Sequence, residues 1–559
     1  MATERRPNKR NHSGFVLNNQ MLLLLVGVLS VILVVLLIVG GSLLNNDTTD
    51  PGNDMLNSSG SVGSSSSGAS GSGVINPSSS AVTNPSSSAV TQPSNSVTTQ
   101  PSSTAPVAPP PVTPSGGNYI DVGSGYIAEV IQANVETFDG GTYDDYSHPT
   151  NNYLPEGTVD YCKKELVYGS GMKYVQLRSG HRVYYDKKVY PFPGGIAKMI
   201  PEVKQYDGYL PDHNEIGVVS LETVDRHSVL TLDSLWKAPF YFETNQSGYA
   251  KPNGGKDRDY AVVSNNATYV DITFCYTTVF TGEVTIPADH ILFKSAQIIK
   301  NESDYTLRLF LRKTGGFYGW YAYYNDNDQL CFRFLNPAKV SAADNKYGAD
   351  LTGTTIMIDV GHGGDDPGAT AYYCATCQKY PMAPELKKGK CPDCGEKPEL
   401  FLEESTANMT LALAMKAELE SVGATVVFNR TEDVILNVND RQANLHEIAP
   451  DVCIAIHQNS NNSKSVRGFF SYYYTPWSQS LAKNIYQHTK DSGMYTRNFL
   501  QWKANYFMNR QSDCPIMLTE NGFMSNEEDL AAMVEPTAVQ NKAIAIVQGI
   551  ADYFLDINK

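Results

Sequence analysis

The sequence is short of basic residues. Its 43 Lys and Arg stand against 58 Asp and Glu, a net charge of −15 at neutral pH. Four of the basic side chains, Arg5, Arg6, Lys9 and Arg10, lie near the start, opposed there by Glu4 alone. The first 44 residues therefore carry +3, and the remainder carries −18 to reach the total of −15. So acidic a body repels phosphates, which excludes nucleic acid as a partner and disfavours simple electrostatic adhesion to an anionic cell surface. Cysteine is scarce too, nine residues, and the count is odd. At least one is unpaired, and Cys453, inside an apolar run, and Cys514, just before another, are poor disulfide positions. A disulfide framework is excluded.

Charge is missing altogether from Met21 to Leu44, MLLLLVGVLSVILVVLLIVGGSLL. As a helix this stretch reaches roughly 36 Å, enough to cross a ~30 Å hydrocarbon core. A core helix of that length would carry a polar face, and a cleaved signal peptide would have a shorter apolar region followed by a small-residue cleavage site. We expect an uncleaved single-pass anchor at 21–44 in the cell membrane. The basic cluster holds the tail, 1–20, in the cytoplasm, and everything beyond the anchor is extracellular. Apolar side chains are what 45–118 lacks: SSGSVGSSSSGASGSG and the near-repeats NPSSSAVT, NPSSSAVT and QPSNSVTT cannot offset the entropy of ordering. This is a disordered linker, ~50 Å across as a coil and up to ~200 Å extended.

Two kinds of pattern follow. Residues 119–349 carry short alternating runs, TYVDITFCYTTVF and TLRLFLRK among them, between Gly, Asn and Asp turns. They predict a separate β-rich domain without a legible role. Its clearest hairpin is TLRLFLRKTGGFYGWYAYY followed by NDNDQLCFRFLNP. The aromatics Phe317, Tyr318, Trp320, Tyr321, Tyr323 and Tyr324 are compatible with a glycan-stacking or partner surface, but sheet packing accounts for them more simply. From Thr352 the pattern becomes strand–helix alternation. Strands are expected at 356–360, 425–428, 452–457 and 515–520, with helices over 404–422, NVNDRQANLHEIA, SQSLAKNIYQHTK and AAMVEPTAVQNKAIAIVQGIADYFL. Gly423 stands where a left-handed residue closes the first helix. Residues 350–559 are thus an α/β domain with a largely parallel sheet flanked by helices.

His362 follows the first of those strands, His457 ends the third and Glu520 ends the fourth. Carboxyl ends of parallel strands face one crevice, and Glu404 opens a helix whose N-terminus faces the same edge. Two imidazoles and a carboxylate are the open zinc site of a hydrolase, with one position left for water. A second carboxylate must then accept the proton and return it to the leaving amine, the role given to Glu520. Taken singly, His362 could be a turn residue and His457 a core histidine, and composition does not choose between Glu403 and Glu404.

The segments IMIDVGHGGDDPGA, EESTANMTLALA, FNRTED, NDRQAN, IAIHQNSN and MLTENGFMSNEEDL, in this order, resemble the zinc-dependent N-acetylmuramoyl-L-alanine amidases of the Amidase_3 type. The resemblance covers roughly 353–557. It implies one catalytic Zn2+ held by His362, Glu404 and His457, with Glu404 preferred because it stands four before Asn408, and it makes Glu520 the catalytic glutamate. It implies hydrolysis of the amide between N-acetylmuramic acid and L-alanine, hence a peptidoglycan substrate and a place at the cell wall. Arg430 and Arg441 match family positions and are read either as structural, facing carboxylates, or as substrate contacts.

The sequence departs from that family at residues 371–399, an insertion that separates His362 from Glu404. There Cys374-x-x-Cys377, thirteen residues, then Cys391-x-x-Cys394 has the spacing of a four-thiolate zinc ribbon, with Gly395 closing a CPDCG knuckle. A second, structural Zn2+ is expected. Two disulfides are the competing reading, and a redox CxxC lacks its strand–CxxC–helix context. A protein partner for the β-rich region or for the insert is a further expectation. The alternatives to a wall amidase are an inactive peptidoglycan-binding scaffold and a zinc peptidase cutting another cell-wall amide.

Overall fold

The structure, a computed structural model, describes residues 118–559 apart from 122–126, 131–134, 139–148, 168–172, 185–209, 246–264, 503 and 505. The expected tail, anchor and linker up to residue 117 lie outside the described residues. Among the described residues no helix is long and apolar enough to cross a membrane.

The C-terminal part is built on a six-stranded sheet. In chain order its strands and helices are β1 (Thr355–Val360), the hairpin β2 (Thr370–Tyr373) and β3 (Glu399–Glu403), α1 (Glu404–Glu420), β4 (Thr425–Phe428), α2 (Val438–Ile448), β5 (Val452–Asn459), β6 (Phe469–Tyr473), α3 (Gln479–Asp491), β7 (Asn498–Trp502), α4 (Phe507–Arg510), β8 (Ile516–Phe523), α5 (Glu527–Val534) and α6 (Pro536–Ile557). The sheet order is β4-β1-β5-β8-β6-β7, with β2 and β3 forming a separate two-stranded ladder. Strands β4, β1, β5 and β8 are parallel, as expected from their apolar runs. Strand β6 pairs antiparallel with β8, and β7 follows β6 in parallel, so this edge of the sheet runs the other way. Neither β6 nor β7 carries the uninterrupted aliphatic run that announces a buried parallel strand. The single closing helix of the sequence reading is two, α5 and α6. They break at Glu535, whose carboxylate caps the amides of Thr537 and Ala538, with Pro536 as the first helical residue.

The two faces of the sheet bury different partners because side chains alternate along a strand. Ile356, Ile358, Val360, Val452, Ile454, Ile456 and Met517 face a helix layer. Leu411, Met415 and Leu419 of α1, Leu481 and Ile485 of α3, and Ile546, Val547 and Ile550 of α6 complete that core. Gly423 takes φ +91° just beyond α1, as expected.

Met357, Cys453 and Ile516 point to the opposite face, and there the boundary expected near 349 does not hold as a division of the core. These residues share one apolar cluster with Phe240, Ile272, Leu309, Phe317, Trp320 and Phe334 of the β-rich region. That region includes a four-stranded sheet (order Phe240–Thr244, Tyr269–Phe274, Tyr305–Leu311, Phe293–Lys300). A five-stranded sheet (order Thr277–Thr281, Asn214–Val224, His227–Ser234, Leu330–Leu335, Trp320–Tyr324) packs its apolar side chains into the same cluster. The expected hairpin is therefore redrawn. Trp320–Tyr324 pairs with Leu330–Leu335, whereas Tyr305–Leu311 belongs to the other sheet. The aromatics at 317, 318 and 320 are buried packing, with Phe317 edge-on to Trp477 at 5.3 Å. Polar contacts bind the two parts as well: Arg226 donates to Asp451 Oδ2 and to the Ala449 carbonyl, each at 2.8 Å, and the Trp320 amide donates to the Ser512 carbonyl at 2.7 Å. The β-rich region covers one face of the catalytic sheet.

Candidate metal centre

The site begins where β1 ends. Gly361 continues the strand's direction and His362 takes a left-handed backbone, φ +59°, a conformation that costs a non-glycine residue about 1–3 kcal/mol and gathers at functional sites. The turn is held from behind. Arg430, buried, donates to the carbonyls of Val360, Gly361, Ser405 and Glu432, and Asn408 Nδ2 donates to the Gly361 carbonyl at 3.2 Å. Arg441 reaches Asp359 Oδ1 at 2.6 Å. Both arginines are thus structural, Arg441 facing a carboxylate and Arg430 facing main-chain oxygens.

His362, Glu404 and His457 come together. Their ligand atoms all lie within 4.8 Å of one another. Glu404 Oε1 is 3.2 Å from His362 Nε2 and 3.0 Å from His457 Nδ1, and it also accepts the Gln458 amide at 3.1 Å. Its other oxygen accepts the Ala369 amide at 3.0 Å. Glu403 is the residue before α1 and is not among the converging groups, which decides between the adjacent glutamates. The His457 ring lies against Gly361. A Cβ there would come within 2.4 Å of Cε1, so only glycine leaves the ring its place.

Two features escaped the sequence reading. His362 Nδ1–H donates to Asp366 Oδ2 at 2.8 Å, which orients the ring and turns Nε2 to the centre. Asn408 does more than mark its glutamate: it accepts from Gln458 Nε2 while bracing Gly361. The DDPGA run after GHGG was the available signal for Asp366.

Glu520 stands opposite His457 in the β5–β8 ladder, on the neighbouring parallel strand. Its Oε2 is shut off from solvent and has no hydrogen-bond partner. Burial first, then the negative charge of Glu404, pushes its carboxyl well above the ordinary range, with His362 pulling the other way. Burial would raise Glu404 also, but its bonds to His362 and His457 outweigh that and hold it well below the usual carboxylate range. For His362 burial acts downward, and hydrogen bonds to Asp366 and Glu404 overcome it, lifting the ring to about 10. The donor set fits a divalent cation. Two imidazoles with one carboxylate match an open zinc site, and a half-buried carboxylate beside them, with one oxygen shut off from solvent and partnerless, is what a local positive charge would relieve.

The four cysteines of the insert also converge. Cys374 Sγ is 3.5 Å from Cys394 Sγ, and Cys377 Sγ is 3.9 Å from Cys391 Sγ. All nine cysteines are free, Cys453 and Cys514 fully buried.

Residues 356–552 match the family model Amidase_3, N-acetylmuramoyl-L-alanine amidase. The C-terminal domain belongs to this family. Curated relatives match part of the chain as well. The probable cell wall amidase LytH of Staphylococcus epidermidis is 28% identical over 238 residues, which is 42% of this chain and 67% of that protein. LytH of Staphylococcus aureus is 28% identical over 213 residues, 38% of this chain and 62% of the relative. Among solved structures, the catalytic domain of CwlV, an N-acetylmuramoyl-L-alanine amidase from Bacillus (Paenibacillus) polymyxa var. colistinus, aligns with 36% of this chain and 99% of its own at 24% identity and a TM-score of 0.30.

Proposed function

We propose that the chain is a zinc-dependent cell-wall amidase that hydrolyses the bond between the lactyl group of N-acetylmuramic acid and L-alanine in peptidoglycan. The observation that carries this reading is the convergence of His362, Glu404 and His457 beside the unpartnered Glu520, within a domain of the amidase family. Held by those three side chains, Zn2+ would supply Lewis-acid polarisation of the scissile carbonyl and acidify the attacking water. Asp366 keeps His362 in the ligating tautomer, and Arg430 with Asn408 keeps the turn that presents it. Glu520 accepts the proton of the water and delivers it to the alanine nitrogen as the C–N bond breaks, leaving a lactyl carboxylate and a free amine. The apolar run 21–44 anchors the chain in the cell membrane, and the linker behind it lets the amidase domain reach the wall outside.

The test is digestion of purified peptidoglycan by the full chain, with and without a chelator, followed by mass spectrometry of the released fragments. Free N-terminal L-alanine that disappears with the chelator is expected. Cleavage at another amide would make it a zinc peptidase, and no cleavage would make it a scaffold.

A further inference from the structure

The cysteine insert is not a loose loop, and its backbone repeats itself. In the first half the Gln378 amide donates to the Cys374 carbonyl at 2.7 Å, and the Cys374 amide donates to Lys379 O at 2.9 Å. In the second half Gly395 donates to Cys391 O at 3.0 Å, and Cys391 donates to Glu396 O at 2.8 Å. Gln378 and Gly395, each directly after the second cysteine of its pair, both take left-handed backbones, φ +53° and +77°. Two copies of one turn thus face each other with their sulfurs between them. The sulfur separations across the pair, 3.5 and 3.9 Å, bracket the edge of about 3.8 Å that a tetrahedron with ~2.3 Å Zn–S bonds requires.

The insert is also joined to the catalytic centre. Its two arms leave as β2 and β3, paired from Tyr373↔Glu399 to Thr370↔Glu403, and the next residue is the ligand Glu404. Ala369, just before β2, exchanges main-chain and carboxylate bonds with Glu404, accepting its amide at 2.8 Å and donating to its Oε2 at 3.0 Å. Ala371 and Met382 of the insert and Leu402 of β3 pack with Ala407 of α1 and with Met524, Leu530 and Met533 beyond the Glu520 strand. Lys464, on the loop after His457, donates to the Tyr380 carbonyl and pairs with Glu385, each at 3.0 Å. The insert therefore touches the segments that carry Glu404, His457 and Glu520.

We propose that Cys374, Cys377, Cys391 and Cys394 bind a Zn2+ ion as thiolates, and that this ion, through the β2–β3 hairpin, positions Glu404 for the catalytic metal. The second half of the proposal rests on the reading of His362, Glu404 and His457 as ligands. The thiolate site stands without it.

Metal analysis of the full-length chain tests both halves. Two zinc ions per chain are expected, falling to one in the double variant Cys377→Ser, Cys394→Ser. In that variant the remaining ion should be at least tenfold easier to remove in chelator competition, the scale of losing outer support of a metal ligand. Cobalt substitution of the unmodified chain needs no variant and guards against misfolding. A sulfur-to-cobalt charge-transfer band is expected, and it should persist in His362→Ala, which removes only the other site. Absence of that band, or four thiols blocked as disulfides, would overturn the thiolate site. A band present with unchanged retention of the second ion in the double variant would overturn the coupling. Loss of the band-independent ion in His362→Ala without any peptidoglycan cleavage by the unmodified chain would leave this proposal standing and remove the amidase reading instead.

Discussion

His362 and Asp366 are joined through a ring nitrogen and a carboxylate oxygen 2.8 Å apart, one loop holding both a candidate ligand and the group that aims it. The Asp366 side chain is 44% exposed, so replacing it should not disturb the core. Asp366→Ala should weaken binding of the catalytic zinc about 10- to 100-fold while leaving the melting transition in place. Competition with a chromogenic chelator reads this, and equal affinity in the two proteins would make the contact incidental.

Glu520→Gln keeps the size of the side chain and removes its basicity. Zinc content should be unchanged, and turnover of peptidoglycan should fall about 10²- to 10⁴-fold. Retained turnover would take the proton-transfer role away from Glu520.

Gly361→Ala is a sharper probe than it looks. Gly361 does not need a left-handed backbone, so alanine adds no strain of its own, yet its Cβ would sit 2.4 Å from the His457 ring. The ring must move. Loss of the catalytic metal in an otherwise folded protein is expected, and full occupancy would show that the ring tolerates displacement.

Trp320 is fully buried in the core shared by the β-rich region and the catalytic sheet. Trp320→Ala should cost about 3–5 kcal/mol. Because the core is shared, one cooperative transition should shift as a whole in denaturant titration. Two transitions, with only one displaced, would contradict a common core.

His181 is buried in the β-rich region, with Ser179 Oγ on one ring nitrogen and the Phe240 carbonyl on the other. Burial pulls its pKa down to about 4, against the opposing effect of that carbonyl. Below about 6.5 the unfolded chain takes up a proton that the folded chain refuses until about pH 4. Stability should therefore fall as pH drops through this window, by up to about 3 kcal/mol from this residue. His181→Gln should flatten that part of the stability–pH curve, and an unchanged slope would assign it to other groups.

Three of the four parallel strands were legible because a strand buried on both faces must be a largely apolar run, as IMIDV, VCIAIH and PIMLT are, and the edge strand TVVF because its residues are β-branched or aromatic. The reversed edge was not, since FFSYY and NFLQW carry no such run. The candidate ligands were legible for a related reason: parallel topology alone brings His362 and His457 to one edge, whatever the details of packing. Asp366 escaped because a hydrogen bond four residues along a loop depends on the loop's path, which no periodicity encodes.

Local chemistry in the chain was enough to define the α/β part, the candidate metal ligands and the two Cys-x-x-Cys pairs, because each depends on spacing along a strand, a turn or a knuckle. Which surface the β-rich region occupies depended on the fold. So did the choice of Glu404 over Glu403 by contact, and the seating of the cysteine hairpin beside the catalytic groups. Those relations join residues far apart in sequence, and they exist only once shape and burial decide which apolar faces meet.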